Sequence, residues 1–85
     1  MIMKEIELRV MSESHKNYKL WTVGVTDNPD ERKSQHKSED KNVDHWKHWD
    51  ADSEDDAREI ERHFKDKGMK GGVGGRGKAD FVYIF

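Results

Sequence analysis

The sequence predicts a small α+β domain in which two helices lie against a three-stranded, mainly antiparallel sheet. Three observations lead to this fold class. Strand-like patterns occur near both ends of the chain, capping residues mark two helix starts between them, and a glycine-rich stretch separates the second helix from the last strand. The length of 85 residues predicts a single domain over residues 1–85.

The first two strands are predicted from alternation. In residues 4–11, Ile6, Leu8 and Val10 fall on one face and charged residues on the other. Residues 19–26 repeat the pattern with apolar residues at every second position. A period of two indicates a strand with one face toward water. Because a polar loop joins the two segments, they are expected to form an antiparallel pair.

The helix starts are predicted from capping chemistry. Asn28 precedes Pro29, which suits the first helical position, and the helix that follows has no apolar residue as far as Asn42. A second helix is expected between the N-cap Ser53 and the stop signal Gly68. Its inward stripe consists of Ala57, Ile60 and Phe64. The order is therefore strand, strand, helix, helix, strand.

Two further segments complete the fold prediction. Residues 81–85 are apolar on both faces, which predicts a third strand covered on both sides. Residues 43–52 are interpreted as a connecting segment whose Trp46 and Trp49 cover the core. The alternative is a protein–protein module that uses the two tryptophans and the acidic segment around them as its contact face.

Charge and composition limit the class of protein. The formal net charge is −2, which is unlike a generic basic nucleic-acid binder. Residues 39–61 carry a net charge of −7, whereas residues 65–78 carry +4 and would attract a polyanion. No apolar run is long enough for a membrane span, and no signal peptide is expected. With no cysteine, the chain is expected to be cytoplasmic.

The stretch from Gly24 to His36 resembles the second half of the GIY-YIG nuclease signature. In that family a Tyr-x-Gly strand leads through a polar turn into a helix with an arginine and often a histidine. A glutamate on a later helix, commonly in an Ala-x-x-x-Glu context, is the next landmark. The residues that fall on this pattern are Gly24, Thr26, Asp27, Asn28, Arg32, His36, Ala57 and Glu61.

The resemblance implies roles for these residues and also a loss of activity. It implies that Arg32 holds phosphate and that Glu61 ligates a divalent metal, Mg²⁺ or Mn²⁺. Thr22 stands where the family has its second tyrosine, residues 2–11 contain no first tyrosine, and the late asparagine is missing as well. A threonine hydroxyl ionises far less readily than a phenol, so His36 is the candidate replacement base.

The resulting hypothesis is a catalytically degenerate GIY-YIG-like domain that binds nucleic acid or a protein without efficient cleavage. The alternative is a metal-dependent endonuclease or phosphodiesterase of that type. Its candidate catalytic residues are Thr22, Arg32, His36 and Glu61.

Two other motifs have functional interpretations. His45 and His48 have the spacing of metal ligands on a helix, although a solvated surface is the simpler interpretation. The glycine-rich stretch does not lie between a strand and a following helix, which excludes a dinucleotide-binding fingerprint. Its Lys70, Arg76 and Lys78 are candidate phosphate ligands, and the alternative is a flexible loop.

Overall fold

The computed structural model describes residues 2–12, 17–71 and 80–85. The order of its elements is α1 (Ile2–Ser12), a single 3₁₀ turn (Tyr18–Leu20), β1 (Thr22–Thr26), α2 (Pro29–Ser38), β2 (Lys47–Asp50), α3 (Glu54–Asp66), β3 (Lys70–Gly71) and β4 (Phe81–Ile84). The α+β class is confirmed. The predicted three strands and two helices are wrong in number, because the described residues form four strands and three α-helices.

The sheet is mixed, with the strand order β2-β4-β1-β3. Strand β4 pairs antiparallel with β1 on one side and with β2 on the other. Strand β3 pairs parallel with β1 through Thr22 and Lys70. The last strand of the chain is therefore central, and its buried Val82, Tyr83 and Ile84 confirm the prediction that it is covered on both faces.

The prediction of a strand over residues 4–11 is wrong. That segment lies in α1, and Ile6 and Val10 are fully buried while Leu8 is 58% exposed. Ile2 and Met3 contact the same core, so the inward positions follow helical spacing rather than alternation. Residues 6 and 10 satisfy both patterns, and the exposed Leu8 distinguishes them. The predicted antiparallel pair with the next strand is consequently absent.

The interpretation of residues 43–52 as a connecting segment is also wrong, because Lys47–Asp50 form β2. This strand lies at the edge of the sheet and three of its four residues are exposed. Edge strands are commonly charged or polar, which prevents pairing with other chains. The segment therefore lacks the apolar run by which a strand is normally recognised.

Both predicted helix starts are confirmed. The Asn28 side chain accepts a hydrogen bond from the Glu31 backbone N–H at 3.1 Å, and Ser53 Oγ accepts one from the Asp56 N–H at the same distance. Gly68 has φ = 118°, a left-handed conformation that suits glycine after a helix end. The predicted stripe of α3 is buried.

The two faces of the sheet carry different layers. Helices α1 and α3 cover one face, where their apolar residues join Val23, Val25, Val82 and Ile84 in the core. Helix α2 lies against the other face, which contains Gly24 and Tyr83, and His36 is its one buried residue. No helix among the described residues is long and apolar enough to cross a membrane.

Candidate functional site

Gly24 and Tyr83 are directly opposite each other on β1 and β4. A Cβ atom at residue 24 would lie 2.8 Å from Cε2 of Tyr83 and closer still to its hydroxyl. The tyrosine ring thus occupies the space above the glycine, and only glycine allows this approach. The pairing places a phenol beside Gly24, the glycine of the stretch that resembles the GIY-YIG signature.

His36 is the partner of this phenol. Its Nε2 lies 3.0 Å from the Tyr83 hydroxyl, and neither residue has exposed surface. Burial raises the pKa of Tyr83 to about 12, so the phenol is protonated at neutral pH and donates the hydrogen bond. Burial also lowers the pKa of His36, which favours the neutral ring. The proton of that ring is then on Nδ1, which lies 3.8 Å from the Glu39 carboxylate.

The pair is covered by aromatic rings. The Trp46 indole stacks on the Tyr83 ring with centroids 4.5 Å apart and an interplanar angle of 11°. Phe85 lies 4.6 Å from the His36 ring, measured between centroids, and 5.7 Å from the Trp46 ring. We call His36, Trp46, Tyr83 and Phe85 the aromatic cluster. Trp46 is fixed by a 3.0 Å hydrogen bond from its Nε1 to Nδ1 of His48.

Arg32 on α2 and Glu61 on α3 both act electrostatically on Tyr83. The positive charge of Arg32 opposes the rise in the Tyr83 pKa, and the negative charge of Glu61 adds to it. Both residues are half-buried. Of the predicted site residues, His36 contacts Tyr83 directly, and the charges of Arg32 and Glu61 act on it. The sequence analysis did not include this tyrosine.

The surroundings of Arg32 are mixed in charge. Its Nη1 donates a hydrogen bond to Oε1 of Gln35 at 2.8 Å. It lines a cleft of about 20 Å³, enough for about one water molecule, together with Asp27 and Glu31. The two neighbouring carboxylates reduce the attraction of this cleft for an anion.

Thr22 and Lys70 lie at the other end of β1. They line a separate cavity of about 330 Å³, which shares no lining residue with the cleft at Arg32. Thr22 is therefore not gathered with Arg32 in one concave site, as a tyrosine replacement would require. Arg76 and Lys78, the other predicted phosphate ligands, lie outside the described residues.

The described residues contain no group of three or more histidine, cysteine, aspartate or glutamate residues that could hold a metal. The two histidines with metal-ligand spacing have separate environments, since His48 accepts the Trp46 hydrogen bond and His45 lies 6.1 Å from the Trp21 ring between centroids. Glu61 offers a single carboxylate. Mg²⁺ takes one or two protein carboxylates together with water and substrate phosphates.

The two tryptophans of the alternative contact face lie on opposite faces of the sheet. Trp46 stacks on Tyr83, whereas Trp49 lies against the main core, and both are half-buried. They consequently do not form one exposed apolar patch.

Sequence reasoning missed Tyr83, Trp46 and Phe85 as parts of the site. One signal was present: a glycine inside a strand pattern indicates a close approach by another group. The identity of that group depends on which strand pairs with β1.

Comparison of the chain with models of protein families, with curated proteins and with solved structures finds no match.

Proposed function

We propose that this chain is a GIY-YIG-like domain that binds nucleic acid through its phosphates and does not cleave it efficiently. The resemblance of Gly24, Arg32, His36 and Glu61 to the family pattern supports the scaffold. The pairing of Gly24 with Tyr83 adds to that support, because it brings a phenol onto this glycine from the last strand. The family pattern expects its first tyrosine on the first strand, where this chain has none.

The observation that carries the loss of cleavage is the complete burial of Tyr83 and His36. A general base must come within hydrogen-bond reach of the water that it activates. Tyr83 has no exposed surface, and with a pKa of about 12 only roughly one molecule in 100,000 carries the phenolate at neutral pH. Thr22, at the position of the second tyrosine, is an even weaker acid. The site retains charge for binding and has no accessible base among these groups.

The binding test is fluorescence anisotropy with short labelled single-stranded and duplex DNA. We expect Arg32→Gln to weaken binding about tenfold and to reduce the slope of log affinity against log salt by about one. The matched control is Lys33→Gln, which removes an equal charge from the adjacent exposed position of α2. Equal affinities for the wild type and both variants would overturn the role of Arg32, and no binding by the wild type would overturn the proposed function.

A second candidate function is metal-dependent phosphodiester cleavage. The observation that favours it is that Arg32 on α2 and Glu61 on α3 are both partly exposed and that the charges of both act on Tyr83. The test is nicking of supercoiled plasmid by purified protein in Mg²⁺ or Mn²⁺. If the wild type nicks the plasmid and Glu61→Ala does not, the function is cleavage rather than binding without cleavage. Equal background nicking by the wild type and Glu61→Ala is the result expected for a binding domain.

A further inference from the structure

A second concave surface lies where β1 and β3 begin, at the opposite end of β1 from Arg32. Its volume is about 330 Å³, at the lower end of the range for small-molecule pockets. The side chains that matter to its chemistry are Leu20, Thr22, Lys41, Asn42, Lys70 and Phe85. They come from five parts of the chain: the 3₁₀ turn, β1, the segment after α2, β3 and the residue that follows β4.

The polar side chains of this cavity are suited to an anion. Lys41 and Lys70 contribute two ammonium groups, and Thr22 and Asn42 contribute a hydroxyl and an amide. Among the residues that the structure describes, no acidic residue lines the cavity, although acidic residues outnumber basic ones in the chain. Lys41 lies 3.9 Å from the Glu39 carboxylate, so its charge is partly compensated. Lys70 takes part in no ion pair among the described residues, which leaves it the stronger of the two for an anion.

The apolar side chains give the same cavity a surface for a ring. Phe85 is half-buried, and Leu20 is 61% exposed. Phe85 is held in place by its contacts with the rings of His36 and Trp46. An aromatic face beside cationic groups is the arrangement by which proteins bind single-stranded nucleic acids, with bases stacked on rings and phosphates on basic residues.

We propose that this cavity binds one nucleotide of a single-stranded nucleic acid, with its phosphate near Lys41 and Lys70 and its base on Phe85 and Leu20. A volume of about 330 Å³ is on the scale of one small ligand, and an unpaired base is free to lie on Phe85 and Leu20 as bases do in single-strand binding proteins. The proposal rests on the proposed function and specifies its ligand as an unpaired strand. It adds a site at the end of β1 that is remote from Arg32.

The first experiment compares affinities for a labelled oligo-dA strand and for a duplex. The wild type is expected to prefer the single strand. Lys70→Gln, a change at an exposed position, is expected to weaken single-strand binding about tenfold and to lower the salt slope by about one. The matched control is Lys47→Gln, an exposed lysine on β2 that lies outside the cavity, and it is expected to change affinity less than twofold.

The second experiment tests stacking with small probes, followed by NMR. Adenosine monophosphate is expected to shift the signals of Leu20, Lys70 and Phe85, and to bind more tightly than inorganic phosphate. Leu20→Ala is expected to weaken binding of the nucleotide but not of phosphate. Because Leu20 is exposed, this variant is expected to fold normally, as a circular dichroism spectrum would verify.

The outcomes separate the two proposals. If Lys70→Gln and Leu20→Ala bind oligo-dA as tightly as the wild type while Arg32→Gln does not, the nucleotide cavity is wrong and the proposed function stands. If the wild type prefers the duplex, or binds phosphate as tightly as the mononucleotide, the cavity proposal is also overturned. If the wild type binds no nucleic acid, both proposals fail.

Discussion

The two faces of the sheet are built from the same strands but are held by different interactions. On the face covered by α1 and α3, the buried residues Val23, Val25, Val82 and Ile84 have no side-chain polar atoms. On the face covered by α2, the central contact is a hydrogen bond between His36 and Tyr83. Alternate residues of β1 and β4 therefore serve an apolar core and a polar aromatic cluster.

The difference teaches where specificity resides in this small domain. An apolar core accepts several side chains of similar volume, because its contacts have no direction. A buried phenol and imidazole need particular partners, since an unsatisfied buried polar group costs free energy. Helix α2 has no apolar residue, so His36 is what anchors it to the sheet. We therefore expect the core face to contribute most of the stability and the other face to favour one arrangement of the elements.

The largest effect is expected from the core face. Phe64→Ala removes a ring with no exposed surface between α3 and the sheet, and should lower the free energy of unfolding by about 3–5 kcal/mol. A domain of this size has a stability of about 4–13 kcal/mol, so the variant is expected to be partly or fully unfolded. Urea denaturation followed by circular dichroism measures the change. The control is Leu20→Ala, at a 61% exposed position; a similar loss in both variants would contradict the assignment of the core.

The next largest effect tests the close approach on the other face. Gly24→Ala would place a methyl group where the Tyr83 ring lies, and we expect a loss of about 1–3 kcal/mol in the free energy of unfolding. Gly71→Ala is the matched control in β3. The three described atoms nearest to its Cβ would all belong to the flexible Lys65 side chain, with Cε at 3.0 Å, so its effect should stay within about 0.5 kcal/mol. If the two variants are equally stable in urea, the contact between Gly24 and Tyr83 is not a tight one.

The sequence predicted the elements whose causes are local. The caps Asn28 and Ser53 act within a few residues of themselves, and both helices begin where these caps are. The apolar stripe of α3 is likewise a property of one segment. Strand β4 was recognised because its residues are apolar on both faces, as expected for a central strand.

The remaining features depend on contacts between distant segments. The alternation at Ile6, Leu8 and Val10 is compatible with a strand, and only packing against the core selects the helix. Strand β2 is recognised by its hydrogen bonds to β4 rather than by its polar sequence. Tyr83 joins the candidate site because β4 pairs with β1, a choice of partner that neither strand specifies alone.

A smaller effect is expected from the pH dependence of the aromatic cluster. Burial, with the nearby charges of Lys41 and Arg32, lowers the pKa of His36 below 6.5, and Glu39 partly opposes this. The unfolded chain then binds more protons than the folded one just below pH 6.5. The stability contributed by neutral His36 is therefore fully present above pH 6.5 and is lost as the pH falls through 6.5 toward the folded pKa.

Urea denaturation at a series of pH values measures this contribution. His36→Gln should lose the part of the pH dependence that lies below pH 6.5, and His63→Gln on α3 should keep it. Tyr83→Phe at constant pH should lower the free energy of unfolding by about 1–3 kcal/mol, since it leaves Nε2 of His36 without its partner. A pH profile of His36→Gln identical to that of the wild type would mean that His36 is not buried in its neutral form.

The smallest effect compares the helix caps of the two faces. Asn28→Ala and Ser53→Ala each remove one side-chain hydrogen bond to a helix N-terminus, and each should cost about 1 kcal/mol. The two variants should differ in how far the loss of protection from hydrogen exchange extends along the helix. Helix α3 is held by Ala57, Ile60 and Phe64, whereas α2 has His36 as its single buried residue.

Amide hydrogen exchange distinguishes the two variants. Asn28→Ala should accelerate exchange throughout the first turns of α2, because few buried contacts oppose its local opening. Ser53→Ala should affect only the first turn of α3. If exchange in α2 is unchanged in Asn28→Ala, then contacts other than the cap and His36 hold that helix, and the distinction between the two faces would have to be drawn from packing rather than from hydrogen bonding.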